Sequence, residues 1–286
     1  MLLALLTVRT SNAQKIRNMA HRSALINVMI ASAQRASRKL LRDFGEVEHL
    51  QVSKKGPADF VSTADKTAEN TLRISLTKAR PNYSFLMEES GEIIGDDTSN
   101  IWIIDPLDGT TNFLHGLPHF AISIGLQRDG EMFAGVIYEP VHDEMFWAEK
   151  GQGAHLNDRR IRVSGRKTLE EALFATGIPF KGARDHQEFL QHLEAVMAVS
   201  SGVRRFGSAA LDLAYVAAGR YDGFWETGLS AWDMAAGIVL VREAGGYVSE
   251  IDGMNKMLNN GTILATNDSL HEPLGALLRG IPHNNK

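Results

Sequence analysis

Four apolar residues, Ile101-Trp102-Ile103-Ile104, run directly into Asp105-Pro106-Leu107-Asp108-Gly109-Thr110-Thr111, and this junction constrains the chain more than any other stretch. A short, continuous, β-branched run predicts a strand buried on both faces. The strand is expected to stop at Asp105-Pro106, because proline has no N–H to give to a ladder. Two carboxylates three residues apart at the mouth of a buried strand are costly to desolvate unless they find a cation or N–H donors. A hard divalent metal answers that cost. So does an Asx turn built by Asp, Pro, Gly and Thr on their own backbone, and both readings stand open at this point. Gly109 admits a tight turn and close approach of the backbone to a ligand. If a helical turn starts at Gly109 and Thr110, its free N–H groups point at an anion such as phosphate.

Around this junction the pattern alternates between helix and strand. Leu25, Met29, Ala33, Ala36, Leu40 and Phe44 recur at the helical period. Gly56-Pro57 breaks it, and Ser62 or Thr63 is placed to cap a second helix carrying Ala68, Leu72 and Leu76 until Pro81. Phe120 to Leu126 and Met132 to Tyr138 flank Asp129-Gly130 as a hairpin does. Gly151, Gly153 and Asn157-Asp158 mark turns. Strands are expected near Leu173 to Thr176, Gly223 to Trp225 and Thr262 to Ala265, interleaved with helices at 186–199, 208–218, 232–244 and 268–279. Gly219 and Gly245-Gly246 sit where helix C-caps want them.

No repeat, low-complexity tract or linker divides the 286 residues, so one layered α/β body is expected. Its two subdomains are placed at about 19–160 and 161–286. The 44% hydrophobic and 22% charged fractions exclude disorder and collagen-like order. A net charge of -4 provides no global positive field for nucleic acid. With no cysteine, disulfides, thiolate zinc, iron–sulfur clusters and cysteine nucleophiles are excluded, and metal chemistry must use carboxylates, histidines or carbonyls. The apolar run Leu2 to Leu6 is too short for a secretory core or a bilayer span. Residues 1–18 read as an N-terminal extension with Met19 as an alternative start, and the location is cytoplasmic by default.

Other acidic positions carry two readings each. Glu88-Glu89, after the apolar Tyr83 to Met87 stretch, is a solvated corner or a second carboxylate source at a strand end. Asp233, in the first turn of a small-residue helix, favours the helix dipole or joins a site. Asp65 is a cap or first-turn residue by default, Lys54-Lys55 a solvated loop pair, and Gly207-Ser208-Ala209-Ala210 an N-cap whose exposed N–H groups are also suited to hydroxyls.

Taken together, Glu88-Glu89-Ser90, the segment Trp102 to Phe113 (WIIDPLDGTTNF) and the segment Trp232 to Gly237 (WDMAAG) resemble, in order and spacing, the three signature regions of inositol monophosphatases. The likeness runs from about Ala24 to Leu278, including KKGPADFVSTAD at 54–65 and GSAA at 207–210. It implies a bacterial-type member with a mixed α/β fold, a layered αβαβα sandwich of the sugar-phosphatase type. The implied activity is magnesium-dependent, lithium-sensitive hydrolysis of inositol 1-phosphate or a related small polyol or sugar phosphate, by a homodimer.

Carried over by that resemblance, Glu88, Asp105, the Leu107 carbonyl, Asp108 and Asp233 hold two to three Mg2+ ions, with Asp105 bridging two of them. Asp65 and Thr110 match the pair that orients and activates the attacking water, with Glu88 beside them in the catalytic set. The backbone of Gly109 and Thr110 binds the phosphate, and Asp108, Gly207, Ser208, Ala209 and Glu226 contact substrate hydroxyls. Met87 stands where many relatives have glycine and Ser230 where some have histidine, positions expected to bear on substrate access or preference. The same scaffold serves relatives acting on fructose 1,6-bisphosphate, 3'-phosphoadenosine nucleotides, NADP or histidinol phosphate. A different class of reading is a regulatory partner for another protein, with catalysis secondary.

Overall fold

The computed structural model describes residues 22–46, 52–54, 60–179 and 186–280. The expectations placed on residues 1–18, Met19, Lys55 and Gly56-Pro57 lie outside that range. In chain order the elements are α1 (Ala24–Phe44), β1 (Val52–Lys54), β2 (Phe60–Ser62), α2 (Thr63–Ala79), β3 (Tyr83–Met87), β4 (Gly91–Ile93), β5 (Asp97–Asp108), α3 (Thr110–Leu114), β6 (Ala121–Arg128), β7 (Glu131–Glu139), β8 (Glu144–Glu149), β9 (Gly153–Leu156) and β10 (Arg159–Arg160). There follow β11 (Leu173–Thr176), α4 (His186–Met197), β12 (Gly202–Arg204), α5 (Ala209–Ala217), β13 (Gly223–Thr227), α6 (Ala231–Glu243), β14 (Tyr247–Ser249), α7 (Met257–Asn260), β15 (Thr262–Thr266) and α8 (Asp268–Arg279).

Strands alternate their side chains between two faces, and here that alternation builds three apolar layers. An eight-stranded sheet has the order β10-β9-β8-β7-β6-β5-β3-β4, and a five-stranded sheet the order β12-β11-β13-β15-β14. On one face of the larger sheet, Trp102, Ile104, Ile122 and Ile124 pack with Ile26, Met29 and Leu40 of α1 and Leu72 of α2. On its other face, Ala121, Ile137 and Phe146 meet Leu213 of α5 and Met234 and Ile238 of α6, together with Phe224 and Ile263 of the smaller sheet. Beyond that sheet, Phe174, Trp225 and Leu264 cover Val196 of α4 and Leu270 and Leu274 of α8. The stack is therefore helix, sheet, helix, sheet, helix, as the resemblance implied. Each fully buried large side chain contributes about 1.5–3 kcal/mol relative to exposure. Among the described residues no helix is long and apolar enough to cross a membrane.

Small residues set how close the middle helices lie. A Cβ on Gly135 of β7 would stand 2.5 Å from the Ala236 carbonyl oxygen, and one on Gly125 of β6 would stand 2.8 Å from the Ala235 Cβ. The Ala235-Ala236-Gly237 run is thus the contact surface of α6 against the larger sheet and α5, where Leu213 packs on Gly237.

Most expected elements are present. The β6–β7 turn has positive φ at both Asp129 (51°) and Gly130 (79°), the geometry of a two-residue type I′ hairpin. One expectation fails: β5 does not stop at Asp105-Pro106. It pairs with β6 through Asp105 opposite Ser123 and again through Asp108 opposite Ala121, so Pro106 and Leu107 form a bulge. A bulge is where a strand tolerates proline, since the extra residue is unpaired in any case.

Candidate active site

The bulge decides the chemistry at the end of β5. Residues three apart on a regular strand face opposite ways. The extra residue corrects the parity: Asp105 and Asp108 pair with Ser123 and Ala121, two positions apart on β6, and so share one face. That face looks toward α6, where the Ser123 hydroxyl donates to the Trp232 carbonyl at 3.3 Å. From the first turn of α6 comes Asp233, and one oxygen each from Asp105, Asp108 and Asp233 lies within 4.8 Å of the other two.

Each carboxylate is oriented by donors. Leu107 N donates to Asp105 Oδ1 at 2.9 Å, and Ser230 N donates to Asp233 Oδ2 at 2.7 Å. Asp108 Oδ2 accepts from Ser208 Oγ at 2.5 Å and from Ala210 N at 2.7 Å. The Asx-turn reading and the cluster reading are therefore both realised, one oxygen serving the turn while the group joins its neighbours.

Charge is concentrated here with little to offset it. Burial, then the charge of Glu88, holds Asp105 well above the usual carboxylate range. Burial and the Asp233 charge push Glu88 up to about 8. Asp233 rises to about 7 through burial and the Asp108 charge. Asp108 reaches about 6 through burial, restrained by its bonds from Ser208 and Ala210. Glu226 rises to about 8 through burial and the charges of Asp233 and Asp108, with Arg205 acting against the rise. A set of oxygen donors, Asp105 buried and the others half-buried, that repel one another fits a hard divalent cation such as magnesium, which binds few carboxylates and keeps several waters.

The remaining expected residues fall around this cluster, with differences. Glu88 follows β3, and its backbone N donates to the Ile104 carbonyl at 3.2 Å. Its carboxylate is not one of the group of three but is hydrogen-bonded to Asp105 at the edge of it. Asp65 is buried at 2% exposure in the first turn of α2, and its charge reaches Glu88. Thr110 Oγ1 donates to the Leu107 carbonyl at 3.0 Å, so its one proton is not directed at Asp65. The Leu107 carbonyl keeps a second lone pair for another partner. Gly109 caps α3 at φ 93° and ψ 33°, a left-handed conformation that favours glycine, and a helical turn does begin at Thr110. Gly207 has φ 85°, Ser208 caps α5, and Ala209 is the first residue of that helix. Glu226 lies on β13, its carboxylate against Gly177. Met87 is fully buried in the core under α1 and α2, so it shapes packing beneath Glu88 rather than access to the cluster. Ser230 is the N-cap residue of α6.

Three residues were missed. Asn112 Nδ2 donates to the His119 carbonyl at 2.8 Å and the Phe206 carbonyl at 2.7 Å, fixing the loop that precedes Ser208. Glu69 accepts from Glu89 N at 2.8 Å and from the Ser90 hydroxyl, fixing the turn after Glu88. Asp212 is buried in α5, and burial with the Glu226 charge holds it well above the ordinary range. The signals existed: Glu69 follows Asp65 by one helical turn, Asn112 lies inside the TTNF stretch, and Asp212 interrupts an apolar helix.

This geometry has close counterparts. The chain is 59% identical over 253 residues to the Inositol-1-monophosphatase of Mesorhizobium japonicum, covering 88% of this chain and 95% of that protein. It is 45% identical over 257 residues to the Nus factor SuhB of Pseudomonas aeruginosa, covering 87% and 94%. The crystal structure of extragenic suppressor protein suhB from Bartonella henselae superposes with a TM-score of 0.88 at 56% identity, covering 91% of this chain and 100% of that one. The chain belongs to the inositol monophosphatase family, whose model it matches from residue 21 to residue 283.

Proposed function

We propose that the protein is a magnesium-dependent phosphatase that hydrolyses inositol 1-phosphate, or a related small polyol or sugar phosphate monoester, to the alcohol and inorganic phosphate. The observation that carries this reading is the convergence of Asp105, Asp108 and Asp233 from the end of β5 and the start of α6. With Glu88 and the Leu107 carbonyl, they are the residues to hold two to three Mg2+ ions. Bound magnesium supplies Lewis-acid polarisation of the phosphate and a more acidic water.

The chain's own groups do the rest. Asp65 takes the proton of the attacking water through the Thr110 hydroxyl, which must rotate away from the Leu107 carbonyl to pass it on. The turn at Gly109 and Thr110 offers backbone N–H groups to the phosphate. Asp108, Gly207, Ser208, Ala209 and Glu226 face the substrate hydroxyls, which orients the alcohol for departure. The family resemblance supports lithium sensitivity and a homodimer. The chain pattern supports two subdomains at about 19–160 and 161–286 after residues 1–18 read as an extension, with a cytoplasmic location as the default.

The test is kcat/KM for inositol 1-phosphate beside fructose 1,6-bisphosphate, 3'-phosphoadenosine nucleotides, NADP and histidinol phosphate. Inositol 1-phosphate should lead by about tenfold or more, the discrimination a few polar contacts provide. A lead by any of the others replaces this substrate with that one. The 45% identity to a protein called Nus factor SuhB favours a second reading, a regulatory role through a protein partner with catalysis secondary. A pull-down with a metal-dead variant separates the two, since partner binding would survive the loss of turnover.

A further inference from the structure

α6 begins at the acidic cluster and ends at a cavity. That cavity, of about 490 Å³, opens between the β6–β7 turn, the last turn of α6 and the segment carrying α7. Cavities of this size hold small molecules. Its lining combines a narrow apolar floor, half-buried Met132 over the buried Ile238 and Met257, with the cations Lys150, Arg242 and Lys256 and the carboxylates Glu131 and Glu243.

The carboxylates are already engaged. Glu131 pairs with Lys150, and the two oxygens of Glu243 accept from Gly151 N at 2.9 Å and Gly153 N at 2.7 Å. Arg242 is exposed and held only loosely, Nη2 to Asn255 Oδ1 at 3.5 Å. Lys256 stands exposed on the rim. In a chain of net charge -4, this is a local surplus of positive charge beside apolar surface. Arg242 also complements the negative end of the α6 dipole, but that role needs neither a second cation nor a cavity. A forked guanidinium and an ammonium lining one cavity suit a phosphate group, and the floor suits a small apolar body.

We propose that this cleft binds a small organophosphate, its phosphate between Arg242 and Lys256 and its apolar body on Met132, Ile238 and Met257. The site lies about 14 Å along the helix from Asp233, nine residues at about 1.5 Å each. It needs no metal and no turnover, so it stands or falls apart from the phosphatase reading.

Phenylphosphonate is the probe: it carries a ring and a doubly charged head, and it has no ester bond to hydrolyse. It is titrated by calorimetry into the full chain in EDTA, where the clustered carboxylates of the metal-free active site repel anions. One saturable site is expected, weakened about tenfold or more in Arg242→Gln and in Lys256→Gln, a loss of about 1.4 kcal/mol. The methyl NMR signals of Met132 and Met257 should shift on addition. Both substituted side chains are exposed, so both variants should melt as the wild type does. Absence of saturable binding, or affinity undiminished in both variants, overturns the proposal.

Discussion

Asp108 and Ser208 stand a hundred positions apart in the chain and meet in a 2.5 Å hydrogen bond, the Ser208 hydroxyl donating to Asp108 Oδ2. Because Ala210 N donates to the same oxygen, Asp108 closes the start of α5 from the end of β5. It ties the larger sheet to the helix layer behind it while sharing the acidic cluster.

Asn at position 108 keeps an acceptor for both donors and removes the charge. Asp108→Asn should therefore lower kcat more than tenfold, a barrier increase above about 1.4 kcal/mol. In EDTA it should melt at or above the wild-type temperature, since one repelling charge is gone. Asp108→Ala loses the acceptor as well and should lose about 1–3 kcal/mol of stability. Thermal melts and initial rates on the two variants check this, and an Asn variant retaining more than about a tenth of activity contradicts it.

Asp65→Asn separates a helix-cap role from a proton-accepting one. Asp65 is the third residue of α2, so Asn gives up at most the charge–dipole contribution of about 0.3–1 kcal/mol and stability should nearly hold. Loss of the base should lower kcat by about 100-fold to 10,000-fold, with KM and magnesium affinity little changed. Thr110→Ala should behave alike, and the double variant should be little worse than either single one because the two act as a unit. Near-normal kcat in Asp65→Asn returns the residue to capping.

Glu226→Ala tests recognition of the alcohol. KM for inositol 1-phosphate should rise more than KM for a simple phosphate ester, because a carboxylate facing a hydroxyl contributes only where that hydroxyl exists. Equal losses on both substrates would move Glu226 out of the substrate pocket.

The cluster also sets a pH signature for the metal-free protein. Glu88 and Glu226 titrate near 8 and Asp233 near 7 in the fold, against about 4 in an unfolded chain. The fold therefore binds these protons more tightly, and their stabilisation is lost as pH rises through that range. His119, pushed down to about 4 by burial, acts with the opposite sign, but unfolded histidine is largely neutral above about pH 7. In EDTA the melting temperature should fall between about pH 7 and 8.5, and saturating magnesium should lessen the fall by replacing the protons of Glu88 and Asp233. A rise across that window without metal contradicts the electrostatics.

Much of this was legible because local rules and packing agree. The run 101–104, the Asp129-Gly130 turn and the apolar stripe of α1 are periodic signals that the layers simply complete. The three-residue strands β12 and β14 carry no period of their own and exist by pairing with β11 and β15. In the site, the acids and GSAA were readable as residues but not as neighbours. What joins Asp105 to Asp108 is the Pro106-Leu107 bulge, and what joins Asp108 to Ser208 is a contact between layers. Asp212, Asn112 and Glu69 were readable as residues too, but nothing local says which groups they meet, from His119 seven positions after Asn112 to Phe206 ninety-four after it.

The most direct measurement is phosphate release from inositol 1-phosphate by the chelated protein, followed by addition of magnesium. Release should be absent in excess EDTA and return with magnesium. Calcium, larger and less demanding of octahedral geometry, should inhibit. Full activity in excess EDTA would contradict the assignment of Asp105, Asp108 and Asp233 as the ligands of a catalytic metal.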